Sequence, residues 1–448
     1  MARKQRRTRG LRVIYRNCAG IDIGGTSHWV AIDSSLDECP TREFGSETEY
    51  LDQMADWLIQ KGVEQVAMEA TGVYWIPVFE LLERRGLRVM LVDTRATRQV
   101  SGRKSDVLDC EWIQQLMSCG LLRGAFRPQD DTCVLRALVR LRARLVRDSS
   151  RAVLHMQKAL TQMNVQLSNT LSDIVGKTGL AILRAIVAGE RDGAKLAALR
   201  DRRVKADEAQ LARALRGNWR REHLYELSTA LAQYDFLSMQ ISDCESEILA
   251  AIAPLARFEP PPSACSKPLR GKHRSTAQSD TLRLALQRVL GIDLTRLPTI
   301  AVETALVICS EIGRDLSRFP DSAHFCSWLQ LAPPTRISGG KPLPGKPPKR
   351  FNRAGQALRM AAANARNSDS FIGAAHRARL ARMDKPTAIK ATAHHLARLI
   401  YAMMTKGEDY VEHGIAGYNE LHQARQLTAL RRRAKQLGFS VVPVESVA

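Results

Sequence analysis

Ala19 to Asp33, AGIDIGGTSHWVAID, decides how the first part of the chain is read. Ile21 and Ile23 followed by Gly24 and Gly25 predict a short strand ending in a tight turn, and Trp29 to Ile32 predict its hairpin mate. Asp22 then lies mid-sheet. A carboxylate there is costly to desolvate unless a cation neutralises it, so a metal ion, a basic side chain or the counter-ion of a bound phosphate is implied. A satisfied polar residue at a strand end is the competing account, and the residues downstream have to decide between them.

Outward from this hairpin, residues 18 to 116 alternate as an α/β domain does. Residues 47–61 predict an amphipathic helix with Leu51, Met54, Ala55 and Leu58 on one face, and residues 64–69 an apolar strand closing on Glu69. A second helix over 75–85, a strand over 88–93, the loop TRATRQVSGRKS and a helix over 105–119 follow. Asp106 and Asp109 sit in the first turn of that helix, where a spacing of three puts them on one face. Asp22, Glu69, Asp106 and Asp109 thus come from separate elements that could converge at one sheet edge. Phosphodiester chemistry uses such a set, because two divalent ions about 3.5–4 Å apart activate the attacking oxygen and stabilise the leaving one. Hard oxygen ligands suit Mg2+. Arg103 and Lys104 beside the acidic pair would meet a phosphate backbone. A helix N-terminus that favours negative charge accounts for Asp106 and Asp109 equally well.

The formal net charge of +21 matches a polyanionic partner, with nucleic acid ahead of a membrane surface because no polybasic block adjoins an apolar anchor. A chain of 448 residues has room for two or three domains. Its nine cysteines show no CxxC pair or zinc-like cluster, which predicts reduced thiols in a cytoplasmic protein. No run approaches a membrane span or a signal peptide, so no membrane partner is expected.

Residues 130–167 predict a long, exposed basic helix with arginines at 136, 140, 142, 144, 147 and 151. From Leu224 to Leu255 two heptad series describe a coiled-coil seam weakened by Ser238 and Glu245. That helix either pairs with a partner chain or folds back on the 130–167 helix as an antiparallel hairpin. Residues 258–279, rich in proline and basic residues, predict a linker, and a helical second domain follows, with a break at Pro386. Between Asp321 and Asp369 there is no acidic residue, while Arg336, Lys341, Lys346, Lys349, Arg350, Arg353, Arg359 and Arg366 are present and suit a phosphate backbone. Ser338, in TRISGGKPLPGKPPKR, precedes two glycines amid these cations, as a nucleophile or a turn former would.

Together these residues resemble a DEDD transposase of the insertion-sequence one-ten type, the bridge-RNA-guided serine recombinases of bacterial mobile elements. The resemblance rests on AGIDIGGTSHWVAID, VAMEATGVYW and VDTRATRQVSGRKSDVLDCEWIQQL, and in the second domain on ETALVICSEIGRDLSRFPDSAHFCSWLQLAPPTRISGGK with AGQALRMAAANA. Its most specific part is a KxDxxD helix after a strand ending in VD. It implies an α/β RNase H-like (RuvC-like) N-terminal domain, a helical coiled-coil insertion and a mainly α-helical C-terminal transposase domain. It also implies Asp22, Glu69, Asp106 and Asp109 as ligands of one or two Mg2+ ions, and Ser338 as the nucleophile of a covalent phosphoserine intermediate. The implied partners are donor and target DNA, a non-coding bridge RNA that pairs with both, and further copies of the chain, as dimers assembling into a tetramer. The location implied is the bacterial cytoplasm, at the nucleoid. Nucleic-acid contacts are assigned to Arg103, Lys104, Arg336, Lys341, Lys349, Arg350, Arg353 and Arg359.

The expected segments are a basic tail (1–16), the catalytic domain (17–127), the helical coiled-coil region (128–257), the linker (258–281), the second transposase domain (282–410) and a helical basic tail (411–448). The chain departs from the family pattern at LPTIAVETA, where Thr299 and Ala301 replace the glycines of a run resembling PGIGPxTA. Three alternatives compete. A sugar kinase of the actin-like fold would share GIDIGGT, but needs a second phosphate loop and an adenosine site that are not found past residue 120. A metal-dependent DNA junction endonuclease would leave Ser338 a bystander. A non-catalytic nucleic-acid-binding scaffold would leave the four carboxylates idle.

Overall fold

In a computed structural model of the chain, the strand carrying Asp22 is the central member of a mixed sheet. The structure describes residues 12–70, 72–92, 106–128, 130–259, 277–333, 335–339, 341–344, 352–411, 424, 427–428 and 430–442. At 106, 130, 277–278, 335–338 and 341–344 it describes the backbone alone. The chain divides into two units, Met1–Arg127 and Pro128–Ala448.

In the first unit β1 (Cys18–Ile23), β2 (Ser27–Ala31), β3 (Thr41–Gly45), β4 (Gln65–Glu69) and β5 (Arg88–Val92) form a sheet in the order β3-β2-β1-β4-β5. β2 is antiparallel to β1 and to β3, while β4 is parallel to β1 and β5 parallel to β4. Helix α1 (Thr48–Gln60) joins β3 to β4, α2 (Trp75–Arg84) joins β4 to β5, and α3 is Asp106–Ser118. Alternate residues of a strand point to opposite faces. Ala19, Ile21, Ile23, Val66 and Met68 share a buried cluster with Leu51, Met54, Leu58, Val78 and Leu82, so α1 and α2 cover that face. Cys18, Ala67 and Val92 pack with Ile113 and Met117, so α3 covers the other. This mixed sheet is compatible with an RNase H-like domain.

The second unit is mostly helical. α4 (Asp130–Gln162) is followed by the short helices α5 (Leu167–Thr170), α6 (Lys177–Val187), α7 (Gly193–Ala197) and α8 (Glu208–Ala214), then by α9 (Arg221–Ile252). Ion pairs Arg142–Glu245 and Lys158–Glu226 show that α4 and α9 run antiparallel within one chain. The buried seam of α9 runs through Leu237 and Cys244 where the heptads placed Ser238 and Glu245, because a close-packed pair follows the residues that are apolar. The expected exposed basic helix is corrected in part. Asn164, in left-handed conformation at φ 57, follows the end of α4, and three of its arginines are occupied by packing partners. Arg136 donates to the carbonyl of Glu311, Arg140 donates to both Glu311 carboxylate oxygens at 2.8 Å, and Arg142 meets Glu245.

Residues 260–276 of the expected linker lie outside the described residues, but its ends differ from a bare connection. The backbone N–H groups of Arg257 and Phe258 donate to the carbonyl of Arg288, and α10 (Ala277–Leu290) already begins at 277. Then come α11 (Val302–Ile312), α12 (Ser322–Trp328), a hairpin of β6 (Thr335–Ser338) and β7 (Lys341–Pro344), α13 (Arg353–Ala363), α14 (Phe371–Leu380) and α15 (Lys385–Lys406). The hairpin corrects the expectation of helix and loop throughout. Pro386 opens α15 rather than breaking it, since its missing N–H is not needed in a first turn, where Asp384 caps the amide of Thr387.

Candidate active site

One row of residues crosses the sheet of the first unit. Asp22 is paired with Trp29, and Trp29 with Glu43. On the other side, the parallel register that pairs Ile21 with Met68 carries Asp22 next to Glu69, which is paired with Val92. Neighbouring strands lie about 4.8 Å apart, so the two acids are adjacent at the carboxyl ends of β1 and β4. Both are half-buried. Asp22 has the parity of Cys18 and Gly20, which puts it on the face covered by α3.

Gly20 determines how closely α3 approaches. A Cβ at this position would lie 2.3 Å from the backbone nitrogen of Gln114 and 2.4 Å from the carbonyl oxygen of Cys110. The helix backbone therefore rests directly on the strand, which only glycine permits. Toward the other end, the amides of Ile14 and Tyr15 donate to the carbonyl of Ser118. Strand and helix are thus antidirectional, and the N-terminal turns of α3 extend past Gly20 toward Asp22. Four helical residues rise about 6 Å, and the two strand residues from Gly20 to Asp22 span about 6.6 Å. The turn from Asp106 to Cys110 consequently lies at the level of Asp22. Asp109 is half-buried there, and Asp106, described by its backbone alone, opens the helix. Burial, then the charge of Glu111 and more weakly that of Asp22, pushes the Cys110 thiol up to about 12, as expected where α3 brings a thiol into a field of carboxylates.

Two further carboxylates lie near this face. Glu111 accepts a hydrogen bond from Thr41 Oγ1 at 3.2 Å, and Glu43 accepts one from Ser27 Oγ at 2.6 Å. Nothing in their local sequence marks them, because their relation to Asp22 comes from strand register and helix placement. Arg103 and Lys104 lie outside the described residues.

In the second unit Ser338 ends β6, in register with Lys341, and Gly339 at φ 56 makes the turn between them. Arg336 is paired with Leu343 in the same hairpin. Lys349 and Arg350 lie outside the described residues; Arg353 is exposed at the start of α13. Arg359 differs from the expectation of a free phosphate contact, since its guanidinium donates to the carbonyl of Gln330 at 2.9 Å and burial lowers its pKa. Thr299, at a family glycine position, has φ 74 and a buried hydroxyl without a partner. The backbone still takes the shape a glycine would allow.

Residues 19–165 match the DEDD transposase model of the IS110 type, and residues 293–376 match that of the IS116/IS110/IS902 transposase family. The chain belongs to the IS110-type transposases. No curated protein matches it. The two matched stretches coincide with the sheet bearing Asp22 and with the helices flanking the Ser338 hairpin. Activity on DNA follows for this transposase, and no described helix is long and apolar enough to cross a membrane. DEDD transposases usually use a divalent metal, and the oxygen donors around Asp22 suit a hard cation. Among the described residues no three Asp, Glu, His or Cys side chains form a metal-holding group, so Asp22, Glu69 and Asp109 are not gathered as one, and the side chain of Asp106 lies outside the described residues.

Proposed function

We propose that this transposase recombines the DNA of an insertion sequence with a target site through a RuvC-like DEDD centre in the first unit and a serine nucleophile in the second. The observation that carries the first half is the adjacency of Asp22 and Glu69 in one sheet row beneath the N-terminal turns of α3. In this reading Asp22, Glu69, Asp106 and Asp109 hold one or two Mg2+ ions. When bound, such ions supply Lewis-acid stabilisation of charge on the phosphate oxygens. The half-burial of Asp22 and Glu69 raises the cost of leaving them without a cation.

Ser338 attacks the scissile phosphorus through its Oγ in this scheme. A serine–phosphate bond forms, the bond to the leaving sugar oxygen breaks, and that oxygen takes up a proton; the reverse attack by a second strand's hydroxyl frees the serine. In the backbone register Ser338 pairs with Lys341 across the turn at Gly339, with Arg336 two residues earlier on the same strand, and this sequence neighbourhood of cations supports a nucleophile there. Pairing with a bridge RNA would select donor and target DNA, and the +21 charge supports such polyanionic partners. The assembly is proposed to be a dimer that pairs into a tetramer.

Two measurements test the reading. With the element's RNA and both DNA partners, the wild type should form a denaturation-resistant protein–DNA adduct that Ser338→Ala abolishes; strand joining by Ser338→Ala would exclude the serine step. Asp109→Asn should weaken Mn2+ binding measured by calorimetry at least tenfold. Unchanged binding would remove Asp109 from the site.

A further inference from the structure

The second unit holds a cationic cluster that the serine hairpin does not include. Helices α12, α13, α14 and α15 contain no aspartate or glutamate at all. Between Ser370 and Lys406 there are seven Lys or Arg residues against one carboxylate, Asp384, which accepts the Thr387 amide at the start of α15. Lys390, His394 and Arg398 recur every fourth residue of α15 and form one stripe, with steps of about 6 Å.

The neighbouring helices add like charge to that stripe. Arg359 of α13 acts electrostatically on Lys390, and Arg379 of α14 acts on His394, as do Lys390 and Arg398. Cys326 of α12 donates to the carbonyl of His394, and the charge of Arg398 reaches its thiol. Lys390 and His394 are half-buried, and neither they nor Arg398 have a carboxylate partner among the described residues. A solvated basic face would let its lysine reach into water. Here folding sets Lys390 and Arg398 in a field of like charge, which a polyanion would relieve.

We propose that the Lys390–His394–Arg398 stripe seats the phosphate backbone of duplex DNA, in addition to the cations of the 336–353 segment. This rests on the assignment of the chain as a DNA-acting transposase. It does not depend on serine chemistry, so it is tested in a Ser338→Ala background without added divalent ion. Binding of a duplex of arbitrary sequence is followed by fluorescence anisotropy over a range of salt concentrations. Each lost phosphate contact flattens the log–log salt slope by about 0.9, so Lys390→Gln/Arg398→Gln should flatten it by about 1.8. The same double variant should melt at an equal or higher temperature, because it removes like-charge repulsion. An unchanged slope overturns the proposal, as does a flatter slope accompanied by a lower melting temperature. A loss confined to an RNA hairpin, with duplex DNA unaffected, overturns it as well.

Discussion

Replacing Gly20 with alanine perturbs the contact that brings α3 to Asp22 while leaving every carboxylate in place. The added Cβ would sit 2.3 and 2.4 Å from backbone atoms of Gln114 and Cys110, against about 3.4 Å for ordinary contact, so the helix must retreat by about 1 Å. No side-chain rotation can relieve the clash, because both atoms belong to the helix backbone. Overpacking of this kind costs about 1–3 kcal/mol, and a displacement of about 1 Å at a reacting centre can cost about 100-fold in rate. Urea unfolding and a DNA-cleavage assay measure the two effects on one preparation. Gly25→Ala is the control, since a Cβ there would lie 3.8 Å from the Tyr74 ring in normal contact. Gly20→Ala should lower the unfolding midpoint and slow cleavage far more than the control does. Wild-type stability and cleavage in Gly20→Ala would refute the placement of α3 against β1, and with it the shared site.

Three other outcomes follow from local contacts. Thr299→Gly should stabilise the second unit by about 1–3 kcal/mol in denaturant melts, as left-handed strain and an orphaned hydroxyl outweigh the extra entropy of glycine; a lower midpoint would contradict this. Glu311→Gln should cost about 2 kcal/mol, less than a fully buried pair would because Arg140 is partly exposed, and unchanged stability would show that the contacts of Arg136 and Arg140 add nothing. In the first unit the Cys39 amide and the Trp57 indole, aided by Lys61 and Arg42, hold Asp37 well below the usual carboxylate range. A depressed folded pKa gives stability that is complete above about pH 4 and is lost as pH falls further. The difference in melting temperature between wild type and Asp37→Asn should therefore shrink on acidification below that range, and a constant difference would argue against this role.

The strand with Asp22, its hairpin mate, α1, α2, β4 and β5 were legible from sequence, because period-two and period-3.6 apolar patterns and paired glycines act over a few residues. So were the family motifs and the acid-free stretch around Ser338. The pairing of α4 with α9 within one chain was legible only as one of two options, since an apolar seam does not name the helix that will cover it. Arg136, Arg140 and Arg359 read as phosphate ligands or exposed charge along the chain, yet fold onto the carbonyls of Glu311 and Gln330 or the Glu311 carboxylate. The β6–β7 hairpin escaped notice because its prolines and glycines mask strand alternation. What the sequence by itself determined was the type and order of the elements of the first unit and the acids they carry. Only tertiary structure decided that Asp22 and Glu69 share a row beneath α3, because register and the close approach at Gly20 are relations between segments distant along the chain.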